Sequence, residues 1–192
     1  MLSFYFLFDA ARATEPNLVN ATAINEHVVS LYKGRSEEAL ASVAPYIFSF
    51  PHSEEFSDFI LRNGWGNSWG IFAYTAQSIE DIFHHFRKFL FIKTQDEKQF
   101  YFRFYDPRVL RIFLPICDTD QILEFFGPIE KFILEGEAKE DAMEFSHQNG
   151  KLIQRKINLE EVFGASASKP KKEELHLQTK KSKNKIIDDE PR

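Results

Sequence analysis

The chain is predicted to fold as one α/β domain of the α+β kind, a mixed sheet flanked by helices with a C-terminal β-hairpin. Three observations predict it. Apolar runs of strand length, Leu2–Phe8, Pro45–Pro51 and Ile71–Thr75, are separated by turn-forming residues. Other segments carry apolar residues at helical spacing behind a capping residue, most clearly at Ser78 and at Asp106-Pro107. From Ile129 onward the period falls to that of strands, and Asn149-Gly150 is a type I′ hairpin signal. The chain has 192 residues, of which 43% are hydrophobic and 15% aromatic, enough for one sizeable core. Phenylalanine, at 21 copies, fills space without offering polar chemistry.

Taken in order, Leu2–Phe8 is apolar throughout, as expected of a strand covered on both faces, and Asp9-Ala10-Ala11-Arg12 closes it with a charged pair. Residues 14–23, with Pro16 and two asparagines, read as a polar turn. Ile24, Val28, Leu31 and Tyr32 then have helical spacing, Gly34 is placed as a C-cap, and Glu37–Val43 forms a further turn of helix. The proline-bracketed strand at 45–51 leads to a helix starting at Ser53 or Ser57, with Phe56, Phe59 and Ile60 as its buried stripe, and stopping at Asn63-Gly64. After the strand Ile71–Thr75, Ser78 with Asp81 forms a capping box. Ile79, Ile82, Phe83 and Phe86 face the core from that helix, and His84, Arg87 and Lys88 face away.

Phe89–Lys93 and Gln99–Tyr105 read as strands joined by the polar turn Thr94–Lys98. In the second, Phe100, Phe102 and Phe104 share one face, and Tyr101, Arg103 and Tyr105 the other, so an internal strand with a partly buried Arg103 is expected. Asp106-Pro107 starts a helix: Asp accepts backbone N–H groups and Pro in the first turn needs no donor. Val109, Leu110, Phe113 and Leu114 face inward until Pro115. Asp118 caps a further helix closed by Gly127-Pro128, and Glu130–Leu134, Ala142–His147 and Leu152–Ile157 are strands.

The domain is expected to span residues 1–164. The composition changes after Ala165, where residues 165–192 form a lysine-rich tail with too little apolar content to fold alone, read as a disordered basic extension. Eight basic against five acidic residues give the tail +3; the whole chain is −5, which leaves −8 on the domain. An acidic domain argues against nucleic acid as a partner. The tail's lysines lack interleaved aromatics and are mixed with acids, so it does not resemble a single-strand binder. Cys117 is the only cysteine, so neither an internal disulfide nor a multi-cysteine zinc site can form, which fits a reducing, cytoplasmic compartment. The apolar start lacks a basic n-region and ends after seven residues, unlike a signal peptide. No run approaches the roughly 18–20 apolar residues needed to span a bilayer, so no membrane insertion is expected.

Gly66-Asn67-Ser68-Trp69-Gly70 matches the G-x-S-x-G string of serine hydrolases, but that chemistry needs the serine on a turn from strand into helix. Here a helix precedes the motif and a strand follows, so it reads as a glycine-rich turn that lets Trp65 and Trp69 pack closely. Adjacent His84 and His85 point about 100° apart on a helix and cannot ligate together; they read as a solvated face. Neither a P-loop nor a dinucleotide fingerprint occurs, and no cofactor, metal or catalytic residue is assigned. The remaining candidate is Arg103 with Asp106 and Arg108. Asp106 is expected to cap its helix and pair with Arg103. Arg108, a cation in the first turn, opposes the helix dipole and needs an acid nearby, Asp106 or Asp9.

Gly64-Trp65-Gly66-Asn67-Ser68-Trp69-Gly70-Ile71-Phe72 and Phe102-Arg103-Phe104-Tyr105-Asp106-Pro107-Arg108-Val109-Leu110 resemble a bacterial family, the domain of unknown function 4123. Phe8-Asp9-Ala10-Ala11-Arg12, Val43-Ala44-Pro45-Tyr46, Phe86-Arg87-Lys88-Phe89-Leu90 and Phe125-Phe126-Gly127-Pro128-Ile129 support the likeness, which runs to about residue 135. The resemblance implies an adaptor chaperone of type VI secretion, which holds an effector toxin in the cytoplasm and loads it onto the VgrG spike. It implies a non-enzymatic, protein-binding role, with Trp65, Trp69, Arg103, Tyr105, Asp106 and Arg108 as partner-binding or structural signature. The alternative is an enzyme acting on an anionic substrate through Arg103, Asp106 and Arg108. The tail after Ala165 lies outside the pattern.

Overall fold

A computed structural model describes residues 3–32, 41–50, 53–93 and 98–164. Gly34, the first half of the predicted turn at 37–43, most of the Thr94–Lys98 connection and the tail lie outside the described residues.

The centre of the fold is β1 (Ser3–Asp9), which pairs antiparallel with β3 (Pro45–Phe50) on one side and β4 (Gly70–Thr75) on the other. With β2 (Val28–Ser30) and the C-terminal β7 (Ile129–Glu135), β8 (Ala142–Gln148) and β9 (Lys151–Ile157), the sheet has seven strands in the order β2-β3-β1-β4-β7-β8-β9. The α+β class is as predicted. The sheet is antiparallel at every pairing, not mixed. The continuous apolar run of β1 follows from its position: Tyr5 and Leu7 enter the core on one face, Phe4, Phe6 and Phe8 the core on the other. An antiparallel strand covered on both faces carries the pattern usually associated with parallel sheets.

The face below Phe4, Phe6 and Phe8 is covered by α1 (Ala10–Ala13), α2 (Glu15–Ile24), α3 (Glu54–Phe59, continued by a wide turn over Ile60–Gly64) and α7 (Leu159–Phe163). The face with Tyr5 and Leu7 is covered by α4 (Ile79–Arg87), α5 (Pro107–Phe113, continued as a 3-10 turn over Leu114–Ile116) and α6 (Thr119–Phe126). Local chemistry sets several ends. Ser53 caps α3, Ser78 and Asp81 form the predicted box on α4, Asp118 and Gln121 form one on α6, and Asn149 and Gly150 turn the β8–β9 hairpin with positive φ.

Three assignments are corrected. Residues 15–24 are helical, not a turn: Pro16 sits in the first turn, where its missing donor costs nothing, and Leu18 and Ala21 are buried. The helix predicted over 24–32 does not form: Ile24 is the last residue of α2 and the chain beyond it is not helical. The buried Asn25 ends α2, its Nδ2 donating to the Ser49 carbonyl at 2.8 Å, and Val28–Ser30 pairs with β3. The predicted internal strand at 99–105 is only β6 (Gln99–Tyr101), paired with β5 (Phe91–Lys93) in a separate two-stranded ribbon on which Phe91, Ile92, Phe100 and Tyr101 are exposed. After Tyr101 the chain turns. Phe104 enters the core and stacks on Phe86 at 5.3 Å.

Candidate functional site

The charged cluster joins the end of β1 to the turn that starts α5. Asp9 ends β1, is 0% exposed, and accepts a hydrogen bond from the Arg12 backbone N–H at 3.1 Å, capping α1. The Arg103 guanidinium, 39% exposed, crosses 94 positions of sequence to ion-pair with Asp9 and lies 3.8 Å from Asp106. Asp106 caps α5 by accepting from the Arg108 N–H at 3.0 Å. The same carboxylate holds Arg108 in a fork, through Nε at 3.0 Å and Nη2 at 2.6 Å. The first-turn arginine is therefore compensated by the cap, and the principal partner of Arg103 is Asp9.

Burial would raise the Asp106 carboxyl, but the hydrogen bonds and charge of Arg108, with Arg103 behind, hold it below the usual carboxylate range. Burial would likewise lower Arg103, and the Asp9 hydrogen bond and charge more than reverse it. Beside the cluster, the Tyr105 hydroxyl donates to Tyr101 at 3.1 Å, and Tyr101 meets Tyr32. Burial first, and the Tyr105 hydrogen bond after it, push the Tyr101 phenol well above its ordinary value, against a lowering by Tyr32.

The two tryptophans do not join this cluster. They belong to the core of the opposite sheet face. Trp69 is buried edge-on against Phe8 with centroids 5.8 Å apart, and Trp65 packs on Phe163 while its Nε1 donates to the Lys139 carbonyl at 2.8 Å. Gly64 permits this: a Cβ there would lie 3.0 Å from the Trp69 ring. The turn is nevertheless tied to the cluster through the backbone. The Asp9 N–H donates to the Trp69 carbonyl at 2.7 Å, and Arg12 Nε donates to the Asn67 carbonyl at 3.1 Å.

Ser68 is buried with φ 58°, and its Oγ donates to Glu135 Oε1 at 2.8 Å, while Glu135 Oε2 accepts from the Gly66 N–H. The serine latches a turn, its hydroxyl hydrogen bond given to the Glu135 carboxylate. Sequence reasoning missed Glu135; its only local signal is an acid ending an apolar strand. His85 corrects the solvated-face reading. It is buried, its Nε2 lies 2.9 Å from the Phe125 carbonyl, and burial lowers its proton affinity. Gly127, at φ 50°, leaves room for that imidazole; a Cβ would come within 2.4 Å of Cε1. His84 is exposed. Among the described residues no group of His, Cys, Asp and Glu is arranged to hold a metal.

In front of Arg103 and Arg108 lies an open groove of about 630 Å³. Phe102, Val109, Ile112, Phe113 and Ile116 line it, and Ile112 and Ile116 are 69% and 77% exposed. Asp106, 2% exposed and ion-paired to Arg108, lines the groove as well, while Asp9, the partner of Arg103, is fully buried and Arg108 is 47% exposed. The surface presented is an apolar floor that ends in two ion-paired arginines.

The family profile described as Domain of unknown function (DUF4123) matches residues 4–124. The chain belongs to this family. The DUF4123 match contains β1, the tryptophan turn, the charged cluster and the groove helix α5; β7, β8, β9 and α7 lie beyond it. Comparison with curated proteins and with solved structures gives no match. Among the described residues no helix is long and apolar enough to cross a membrane.

Proposed function

We propose that this chain is a non-catalytic adaptor that grips a protein partner, of the kind the resemblance implies: a cytoplasmic chaperone that holds a type VI secretion effector toxin and helps load it onto the VgrG spike. The observation that carries the reading is the exposed apolar floor of the groove. Ile112 and Ile116, both largely exposed, line one groove with Phe102, Val109 and Phe113. Contiguous apolar surface of this sort marks protein-binding sites, where aromatic and aliphatic anchors flanked by arginine dominate affinity.

The enzymatic alternative fits less well. Asp106 is buried, capped and forked to Arg108, with its carboxyl held below the usual range, so it is a poor proton acceptor near neutral pH. The test is co-expression with the toxin and spike proteins encoded by adjoining genes. The full chain should co-purify with the effector and raise its solubility. Ile112→Asp/Ile116→Asp should cut that yield at least about tenfold, the scale of losing an interface anchor, while leaving the melting temperature unchanged. An effector that neither binds nor gains solubility would sink the adaptor reading, and full retention by the double variant would remove the groove from it.

A further inference from the structure

The groove helix α5 is too short to hold its own pose. Pro107–Phe113 makes about two turns, and helices under roughly 12 residues are marginal in water, so packing must set its orientation. At about 100° per residue its side chains point to distinct sides. Leu110 and Leu114 enter the core, and Arg108, Ile112 and Ile116 form the exposed ridge opposite them. Val109 and Phe113 occupy one flank, where the Phe113 ring meets Phe102 and Phe125 edge-on at 4.7 and 5.5 Å. Arg111 occupies the other flank. Its Nη1 donates to the Glu135 and Gly136 carbonyls, both at 2.9 Å, where β7 ends. The groove lies on the Val109 and Phe113 side, so Arg111 points away from it.

We propose that Arg111 is a positioning residue of the groove: by tying one flank of α5 to the end of β7, it sets the roll of the helix that turns Ile112 and Ile116 outward and Phe113 onto Phe102. The inference rests on the reading of the groove as the partner-binding surface. The anchor that Arg111 uses is itself fixed by buried groups. Glu135, 7% exposed, accepts with its carboxylate from Ser68 Oγ at 2.8 Å and from the Gly66 N–H, and with its carbonyl from Arg111. The Gly136 N–H donates to the Asp141 carbonyl at 2.8 Å, and a Cβ on Gly136 would lie 2.4 Å from the Asp141 Cβ. Lys139, in the same turn, accepts from Trp65 Nε1 at 2.8 Å. The β7–β8 turn is thus bonded to the tryptophan turn on one side and to the groove helix on the other. Glu135 belongs to both contacts, so a change at Ser68 reaches α5 through the end of a single strand.

The test is methyl NMR of the free full chain with labelled isoleucine, which needs no partner. Arg111→Ala should displace the Ile116 signal, beyond the next turn of the helix, while the core residues Ile47 and Ile71 stay in place. Arg111→Lys should return Ile116 toward its original position, because one nitrogen serves both carbonyls and an ammonium can replace it. Ser68→Ala should displace Ile112 and Ile116 as well. Ser57→Ala, which removes a hydroxyl bond to the Ser53 carbonyl at 3.1 Å on α3, should move neither. An unmoved Ile116 in Arg111→Ala, an equal displacement of Ile47 and Ile71, or no recovery in Arg111→Lys overturns the inference. Ser68→Ala without effect overturns the link through Glu135. In co-expression, Arg111→Ala should cut effector retention about threefold or more, the scale of changes that act on a site without touching it, and Arg111→Lys should restore it. Full retention by Arg111→Ala beside a displaced Ile116 overturns the positioning role. An effector that fails to bind the unaltered chain sinks the adaptor reading instead, and the methyl signals still decide whether Arg111 sets the pose of α5.

Discussion

Replacing Arg103 by alanine removes the half-exposed member of an ion pair and strands the fully buried one. Asp9 would keep only the Arg12 backbone N–H at 3.1 Å, and its carboxylate would face a desolvated junction without a counter-charge. Breaking a buried pair in this way costs on the order of 3–5 kcal/mol, and the 39% exposure of Arg103 brings the expected cost below that range, to about 2–3 kcal/mol. For a domain of this size that lowers Tm by roughly 5–10 °C. Asp9→Asn should cost less, about 1 kcal/mol, because the amide oxygen still caps α1 and Arg103 can return to water. The two changes should not add. With the stranded charge gone, Asp9→Asn/Arg103→Ala should be more stable than Arg103→Ala alone. Urea denaturation followed by the fluorescence of Trp65 and Trp69 measures all four states. If Asp9→Asn further destabilises Arg103→Ala, or if Arg103→Ala costs under about 1 kcal/mol, the junction is not the electrostatic clamp described.

Asp106→Ala should lose about 1–3 kcal/mol, the cap together with the Arg108 fork, and should weaken effector binding along with it. Because the folded carboxyl titrates below its unfolded value near 3.8, its contribution is complete above that pH and vanishes as pH falls toward the folded value, so wild type and variant should converge in acid. His85 is held neutral with a folded value below 6.5, so the unfolded chain binds the extra proton: stability should be full above pH 6.5 and decline on acidification from there, with a shallower decline in His85→Phe. Ser68→Ala should cost about 1.5–3 kcal/mol by removing a buried hydrogen bond to the Glu135 carboxylate; a hydrolase would instead lose turnover at unchanged stability.

What could be read from the sequence was local. Asp106-Pro107, Ser78 with Asp81, Asp118 and Asn149-Gly150 each announce a helix start or a turn through their own side chains, and each stands where expected. What could not be read depended on distant partners. Ile24 and Val28 have helical spacing, yet a strand begins at Val28 because Asn25 finds the Ser49 carbonyl 24 residues away. His85 looks like half of a polar pair until the Phe125 carbonyl, 40 residues on, gives it a buried partner. Arg103 was expected to pair chiefly with its near neighbour Asp106, and the stronger claim on it comes from Asp9. The aromatic alternation through Tyr101–Tyr105 imitates an internal strand because Phe104 and Tyr105 are buried, but by a turn into the helical layer.

The separate motifs of the sequence are one junction in space. Asp9, in Phe8-Asp9-Ala10-Ala11-Arg12, donates its N–H to the tryptophan turn at Trp69, receives the Arg103 side chain, and caps the helix whose Arg12 returns to Asn67. Arg103 in turn lies beside Asp106, from which α5 and the groove isoleucines hang. The sheet's exit, the glycine-rich turn and the groove helix are thus held in mutual register by groups that lie mostly beneath the surface. This separates two ways of losing a partner. Changes at Asp9, Arg103 or Asp106 alter the pose of α5 and must cost stability together with affinity. Changes at Ile112 and Ile116, which contribute little to the core, must cost affinity alone. A chain in which Arg103→Ala abolished binding at full stability would place that guanidinium in direct contact with the partner and leave the groove floor secondary to it.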